Sequence, residues 1–118
     1  MSSTLLLVED DATLRMLIAD ALSMIPVKVV ECDCADDALI VLEGTSLINL
    51  VLTDIRMPGH LDGLELANLI WARWPDLPVI LTSGHCVLKS EQLPSCSTFI
   101  AKPWSLDILF ETVTKRLP

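Results

Sequence analysis

Short apolar runs alternating with segments of helical spacing constrain this chain more than any other feature. TLLLV (4–8), LINLVLT (47–53) and PVILTS (78–83) are almost continuously apolar. Such runs suit strands covered on both faces, as in parallel sheets. VKVVE (27–31) and TFIA (98–101) are shorter runs of the same kind. Between them, ATLRMLIADALSMI (12–25) places Leu14, Leu17, Ile18, Ala21, Leu22 and Ile25 on one helical stripe, and Pro26 stops it. ADDALIVLE (35–43) predicts a helix ended by Gly44. Asp62-Gly63-Leu64-Glu65 has the capping-box pattern and opens a helix running to Trp74, ahead of Pro75. SLDILFETVTKRL (105–117) predicts a last amphipathic helix capped by Ser105. HCVLKSEQLPSCS (85–97) has weak signals and reads as a short helix within 87–93. The order is strand then helix, repeated five times. That implies an α/β domain over 1–118, a doubly wound five-stranded parallel sheet with five helices on its two faces.

Composition narrows the class. The 118 residues suit one domain with one core, and 52% apolar with 20% charged is a globular balance. No apolar run approaches the ~20 residues of a membrane-spanning helix. Met1-Ser2-Ser3-Thr4 puts no basic segment ahead of an apolar one, so no signal peptide is expected and the cytoplasm is the expected location. The net charge of −8 argues against direct binding of nucleic acid and fits a protein that binds cations or docks on other proteins. Cys32, Cys34, Cys86 and Cys96 form no C-x-x-C pair, and with His60 and His85 alone a zinc site is not expected. They read as buried or neutral thiols.

Ligands on doubly wound sheets lie at the carboxyl ends of the strands. The residues there are Glu9, Asp10 and Asp11 after the first strand, Asp54 after the third, Ser83 and Gly84 after the fourth, and Lys102-Pro103 after the fifth. Glu9, Asp10 and Asp54 would repel one another if crowded without a cation. A hard divalent ion such as Mg²⁺ removes that repulsion and accepts carboxylates, waters and phosphate oxygens. Asp54 can then attack phosphorus to form an aspartyl phosphate. Lys102 supplies positive charge and Ser83 a hydroxyl donor for the phosphoryl oxygens. Asp11 reads more simply as an acid at a helix start. Trp71 and Trp74 read as helix-face packing, whereas Trp104 stands near an expected partner face.

LLLVEDD, VLTDIRMPG…DGLEL, PVILTSG and FIAKPW, in this order, resemble the response-regulator receiver domain of two-component signalling over essentially the whole chain. The resemblance implies a flavodoxin-like sheet of order 2-1-3-4-5. It implies phosphorylation of Asp54 by a histidine kinase or a histidine phosphotransfer protein, with Mg²⁺ held by Glu9, Asp10, Asp54 and the main-chain carbonyl of Arg56. It assigns Ser83 and Phe99 to the switch, Lys102 to the phosphoryl site and Pro103 to a cis peptide. Thr82, one residue early, is the lesser hydroxyl. Arg56 and His85 would flank the phosphoryl group. An output partner is expected on the face made by 87–93, the fifth strand and the last helix, and the chain reads as a stand-alone regulator. It departs from the pattern in three places. PGHLDG is one residue longer than the common form, Glu9 replaces the more frequent aspartate, and Phe99 lacks a tyrosine hydroxyl.

Rival readings are weaker. A flavin carrier on this fold would need a hydroxyl- and glycine-rich loop where Glu9-Asp10-Asp11 stands. A small-molecule phosphatase would carry a second acid at the position of Arg56. A receiver-like scaffold that takes no phosphate would not need the full set of acids, hydroxyl and lysine.

Overall fold

The computed structural model of the chain describes residues 3–44, 47–57, 61–84 and 93–117. Among the described residues nine elements follow in order: β1 (Ser3–Val8), α1 (Ala12–Leu22), β2 (Val27–Cys32), α2 (Ala35–Gly44), β3 (Leu50–Asp54), α3 (Gly63–Arg73), β4 (Val79–Ser83), β5 (Ser97–Ala101) and α4 (Leu106–Arg116). All strand pairs are parallel, as the sequence pattern implied, and the order is β2-β1-β3-β4-β5, as the resemblance implied. The described residues hold four of the five expected helices. The short helix expected within 87–93 falls almost wholly on 85–92, outside them.

Alternation along the strands sorts side chains into two layers. Leu5, Leu7, Leu50, Leu52 and Ile80 face Ile18, Ala21 and Leu22 of α1 and Leu109 and Val113 of α4. Leu6, Val8, Val51, Val79 and Leu81 face α2 and α3, with Trp71, Trp74 and Phe99 packed at the margin. The leucines of β1 are essentially sealed from water. Each such side chain contributes about 1.5–3 kcal/mol by leaving solvent. By the same alternation, Thr82 lies on the α1–α4 side and Ser83 on the α2–α3 side.

The helix starts obey local chemistry. The Asp11 carboxylate accepts from the Leu14 N–H at 3.1 Å, so this acid is a cap, as read. Asp62 and Glu65 form the reciprocal box, at 2.8 and 3.0 Å. The Ser105 hydroxyl accepts from the Ile108 N–H at 3.2 Å. Asp62→Ala is expected to lower stability by about 1 kcal/mol, with Asp62→Asn nearly neutral. Urea melts measure it, and an Ala variant as stable as the parent would show that the cap carries no weight.

Two boundaries differ from the sequence reading by more than one residue. The first helix ends at Leu22, not Ile25, because Met24 and Ile25 donate back three residues, to Ala21 and Leu22, instead of four. Residues before a proline avoid the α conformation, and Ile25 precedes Pro26. The third strand begins at Leu50, not Leu47. Leu47 is 77% exposed, and the Asn49 side chain, not a backbone carbonyl, accepts the Thr4 N–H. Asp54 is therefore the last rung of the strand, paired with Thr82, and not a loop residue. Cys32, Cys34 and Cys96 are free thiols, and burial, aided by the nearby Asp37 charge, pushes Cys32 up to about 11. Cys86 lies outside the described residues.

Candidate functional site

Parallel registry brings the carboxyl ends of four strands to one rim. Val8 stands beside Thr53, Asp54 beside Thr82, and Ser83 beside Ala101. Glu9 continues β1 by one residue, its N–H donating to the Cys32 carbonyl at 3.0 Å. Its side chain is only 2% exposed. One carboxylate oxygen, Oε2, accepts from the Asp11 N–H at 3.1 Å, and the other, Oε1, accepts from the Lys102 ammonium at 3.1 Å. The same ammonium donates to Asp54 Oδ2 at 2.9 Å. Lys102 thus bridges two acids that start from strands β1 and β3. Asp54 Oδ1 is held more loosely, by the Arg56 N–H at 3.4 Å.

Burial dominates the electrostatics of Glu9 and pushes its pKa up. The Asp11 amide and Lys102 counter this only in part, while the Asp54 charge adds to it. For Lys102, burial alone would lower the pKa, but its bonds to Asp54 and Glu9 outweigh burial and raise it. The ammonium stays charged. Asp10 is exposed, yet a carboxylate oxygen of Glu9, Asp10 and Asp54 each lies within 4.8 Å of the others. A cavity of about 330 Å³ opens here, lined by Glu9, Asp10, Asp54, Arg56, Gly84 and Lys102 among others.

Ser83 is buried at the end of β4, one residue before the cavity-lining Gly84, and its carbonyl accepts the Lys102 N–H at 3.0 Å. Phe99 is half-buried beside Leu81, on the face that Ser83 shares. Thr82 is turned to the other face, where its hydroxyl accepts from the Trp104 indole N–H at 2.9 Å. The Lys102–Pro103 peptide is cis. The Arg56 side chain is exposed. His85 lies outside the described residues, and of the longer PGHLDG loop, extended by one residue at His60-Leu61, Pro58, Gly59 and His60 do too.

Three contributors escaped the sequence reading. Arg15 of α1 donates to the Glu9 carbonyl at 2.7 Å and pairs with Glu31 at 3.5 Å. Trp104 reaches Thr82, 22 positions away, with no local pattern to announce it. Gly63 lies against the main chain of Asp54. A Cβ there would fall on the Asp54 carbonyl oxygen and within 2.7 Å of its carbon. The Asp-Gly pair within the quoted blocks was the only available signal for it.

The family description "Response regulator receiver domain" matches residues 5–114. The chain is 33% identical to the response regulator protein FleR of Pseudomonas aeruginosa over 98% of its own length and 25% of that protein. It is 35% identical to the C4-dicarboxylate transport transcriptional regulatory protein DctD of Rhizobium meliloti, over 92% of this chain and 24% of that one. The chain spans about a quarter of the length of these curated relatives. Among solved structures it superposes on a response regulator receiver protein from Sinorhizobium medicae with a TM-score of 0.89 at 26% identity, covering 98% and 94% of the two chains. It matches the response regulator protein TrrA from Thermotoga maritima, solved in complex with Mg(2+)-BeF, with a TM-score of 0.86 at 27% identity over 98% and 99%. The chain therefore belongs to the response regulator receiver domain family, the phosphoacceptor signalling module of two-component systems.

Proposed function

We propose that Asp54 is the phosphoacceptor, and that residues 1–118 act as one receiver unit. The observation that carries this is the Lys102 ammonium bridging Glu9 and Asp54 at the floor of an acidic cavity. A carboxylate oxygen of Asp54 attacks the phosphorus of a phosphohistidine on a histidine kinase or histidine phosphotransfer protein. The O–P bond forms, the P–N bond breaks, and the imidazole keeps the electron pair and takes up a proton. Oδ1, whose one bond among the described residues is long, is the freer nucleophile. Lys102 is already aimed at the carboxylate and can follow charge onto the phosphoryl oxygens. Ser83 is the hydroxyl donor to one of them. Self-phosphorylation from small donors and self-dephosphorylation are the most that Asp54 does as a catalyst.

The donor set fits a hard divalent ion. Three carboxylates offer oxygens within 4.8 Å of one another, and one ammonium cannot neutralise them. Glu9, Asp10 and Asp54 would hold Mg²⁺, with the main-chain carbonyl of Arg56. Bound there, Mg²⁺ would supply positive charge to the phosphoryl oxygens. The Mg(2+)-BeF complex of the TrrA relative supports this choice. The output is contact with a protein partner through 87–93, β5 and α4, shifted by Ser83 and Phe99. The setting is the cytoplasm. No helix among the described residues is long and apolar enough to cross a membrane, and the net charge of −8 disfavours direct nucleic-acid contact.

The test is intact mass after incubation with acetyl phosphate. With Mg²⁺ the protein gains one phosphoryl group, and with chelator it gains none. Asp10→Asn is expected to raise the Mg²⁺ concentration for half-maximal uptake about tenfold, in the range for loss of a ligand-supporting group. It also raises the melting midpoint in chelator, because one of the crowded charges is gone. Uptake that ignores chelator would remove the ion from the scheme.

A further inference from the structure

We propose that Trp104 and Thr82 are positioning residues for Lys102, joined into a clamp that sets where the ammonium points; this rests on the phosphoacceptor reading of Asp54. β5 ends at Ala101 and α4 starts at Leu106, so Lys102 sits on a short turn. A lysine reaches its target through a flexible four-carbon stem, so its aim depends on where its Cα is held. Two bonds tie that turn to β4. The Lys102 N–H donates to the Ser83 carbonyl at 3.0 Å, and the Trp104 indole N–H donates to the Thr82 hydroxyl at 2.9 Å. Thr82 is paired in turn with Asp54. The contacts close a ring: Asp54 to Thr82 by strand pairing, Thr82 to Trp104 by hydrogen bond, Trp104 to Lys102 through Pro103, and Lys102 back to Asp54 at 2.9 Å. Loosening any link relaxes the others.

The residue types fit this role. Thr82 is 2% exposed on the apolar face toward α1 and α4, where valine would fill the same volume. A hydroxyl there costs free energy unless bonded, and the bond it makes is to Trp104. Trp104 itself packs at the margin of that core, so its ring is fixed at both ends.

The experiment compares Thr82→Val, Thr82→Ser and Trp104→Phe with the parent chain, using acetyl phosphate with saturating Mg²⁺. Thr82→Val and Trp104→Phe are each expected to lower the rate at saturating donor about tenfold, within the ~10²-fold that a 1 Å misplacement can cost. The donor concentration at half-saturation stays unchanged. Thr82→Ser, which keeps the acceptor, restores the rate. The double variant is no slower than the slower single, because both remove one bond. The Trp104 indole proton, assigned by its absence in Trp104→Phe, moves when beryllofluoride is added to the parent chain. Should Trp104→Phe fail to fold, Thr82→Val with its serine rescue carries the same test. Variants that lose stability but keep the parent rate, with a silent indole proton, would overturn the clamp and leave the Asp54 reading standing. A parent chain that takes up no phosphoryl group overturns both.

Discussion

An Asp54→Asn variant is expected to fold normally and to take up no phosphoryl group from acetyl phosphate at any Mg²⁺ concentration. Asparagine keeps the shape of the side chain, and its amide oxygen can still accept from Lys102, but it offers no nucleophilic carboxylate oxygen. The neighbours do not replace it. Both oxygens of Glu9 are engaged, by the Asp11 N–H and by Lys102, and burial raises its affinity for a proton. The Thr53 hydroxyl donates to the Asp54 main-chain carbonyl at 2.9 Å and is buried. One fewer negative charge beside Glu9 and Asp10 also means that the melting midpoint in chelator does not fall. Intact mass and a thermal melt suffice. A full adduct on the variant would move the phosphoacceptor to another residue, and peptide mapping would name it.

Gly63→Ala is expected to cost about 3 kcal/mol, at the upper end for forcing extra volume into a packed site. The added carbon would land on the Asp54 carbonyl oxygen and within 2.9 Å of the Ile55 Cα. All the obstructing atoms are backbone, so no side chain can swing aside. The Gly63 N–H also donates to the Ile55 carbonyl at 2.7 Å, so the helix start cannot retreat without breaking that bond. The melting midpoint should drop by ~10 °C. The demand here is for space and not for an unusual φ, since Gly63 begins a regular helix. A Gly63→Ala chain that melts with the parent would place the 62–63 turn farther from β3 than it stands here.

What could be read from the sequence was whatever short-range chemistry writes down. The caps at Asp62 and Ser105 were legible because each bond closes within three residues. The parallel sheet was legible because runs such as Leu5-Leu6-Leu7 leave no polar face. Glu9, Asp10, Asp54 and Lys102 were legible as a cluster because a parallel sheet puts all its carboxyl ends on one rim. The end of α1 was misread because periodicity alone cannot distinguish a last α turn from the tighter turns that still pack a half-buried Ile25 against the core. The start of β3 was misread because Asn49 substitutes a side-chain oxygen for a backbone one. The contacts of Arg15 and the bond from Trp104 to Thr82 were silent because their partners are chosen by tertiary geometry, which no local pattern encodes.

Thr82 and Ser83 are neighbours in sequence and belong to opposite sides of the sheet. The peptide between them is a point where a wall one residue thick separates two rooms. A displacement of that peptide would move a side chain on each face at once: Thr82, with Trp104 bonded to it, on the α1–α4 side, and Ser83 on the α2–α3 side.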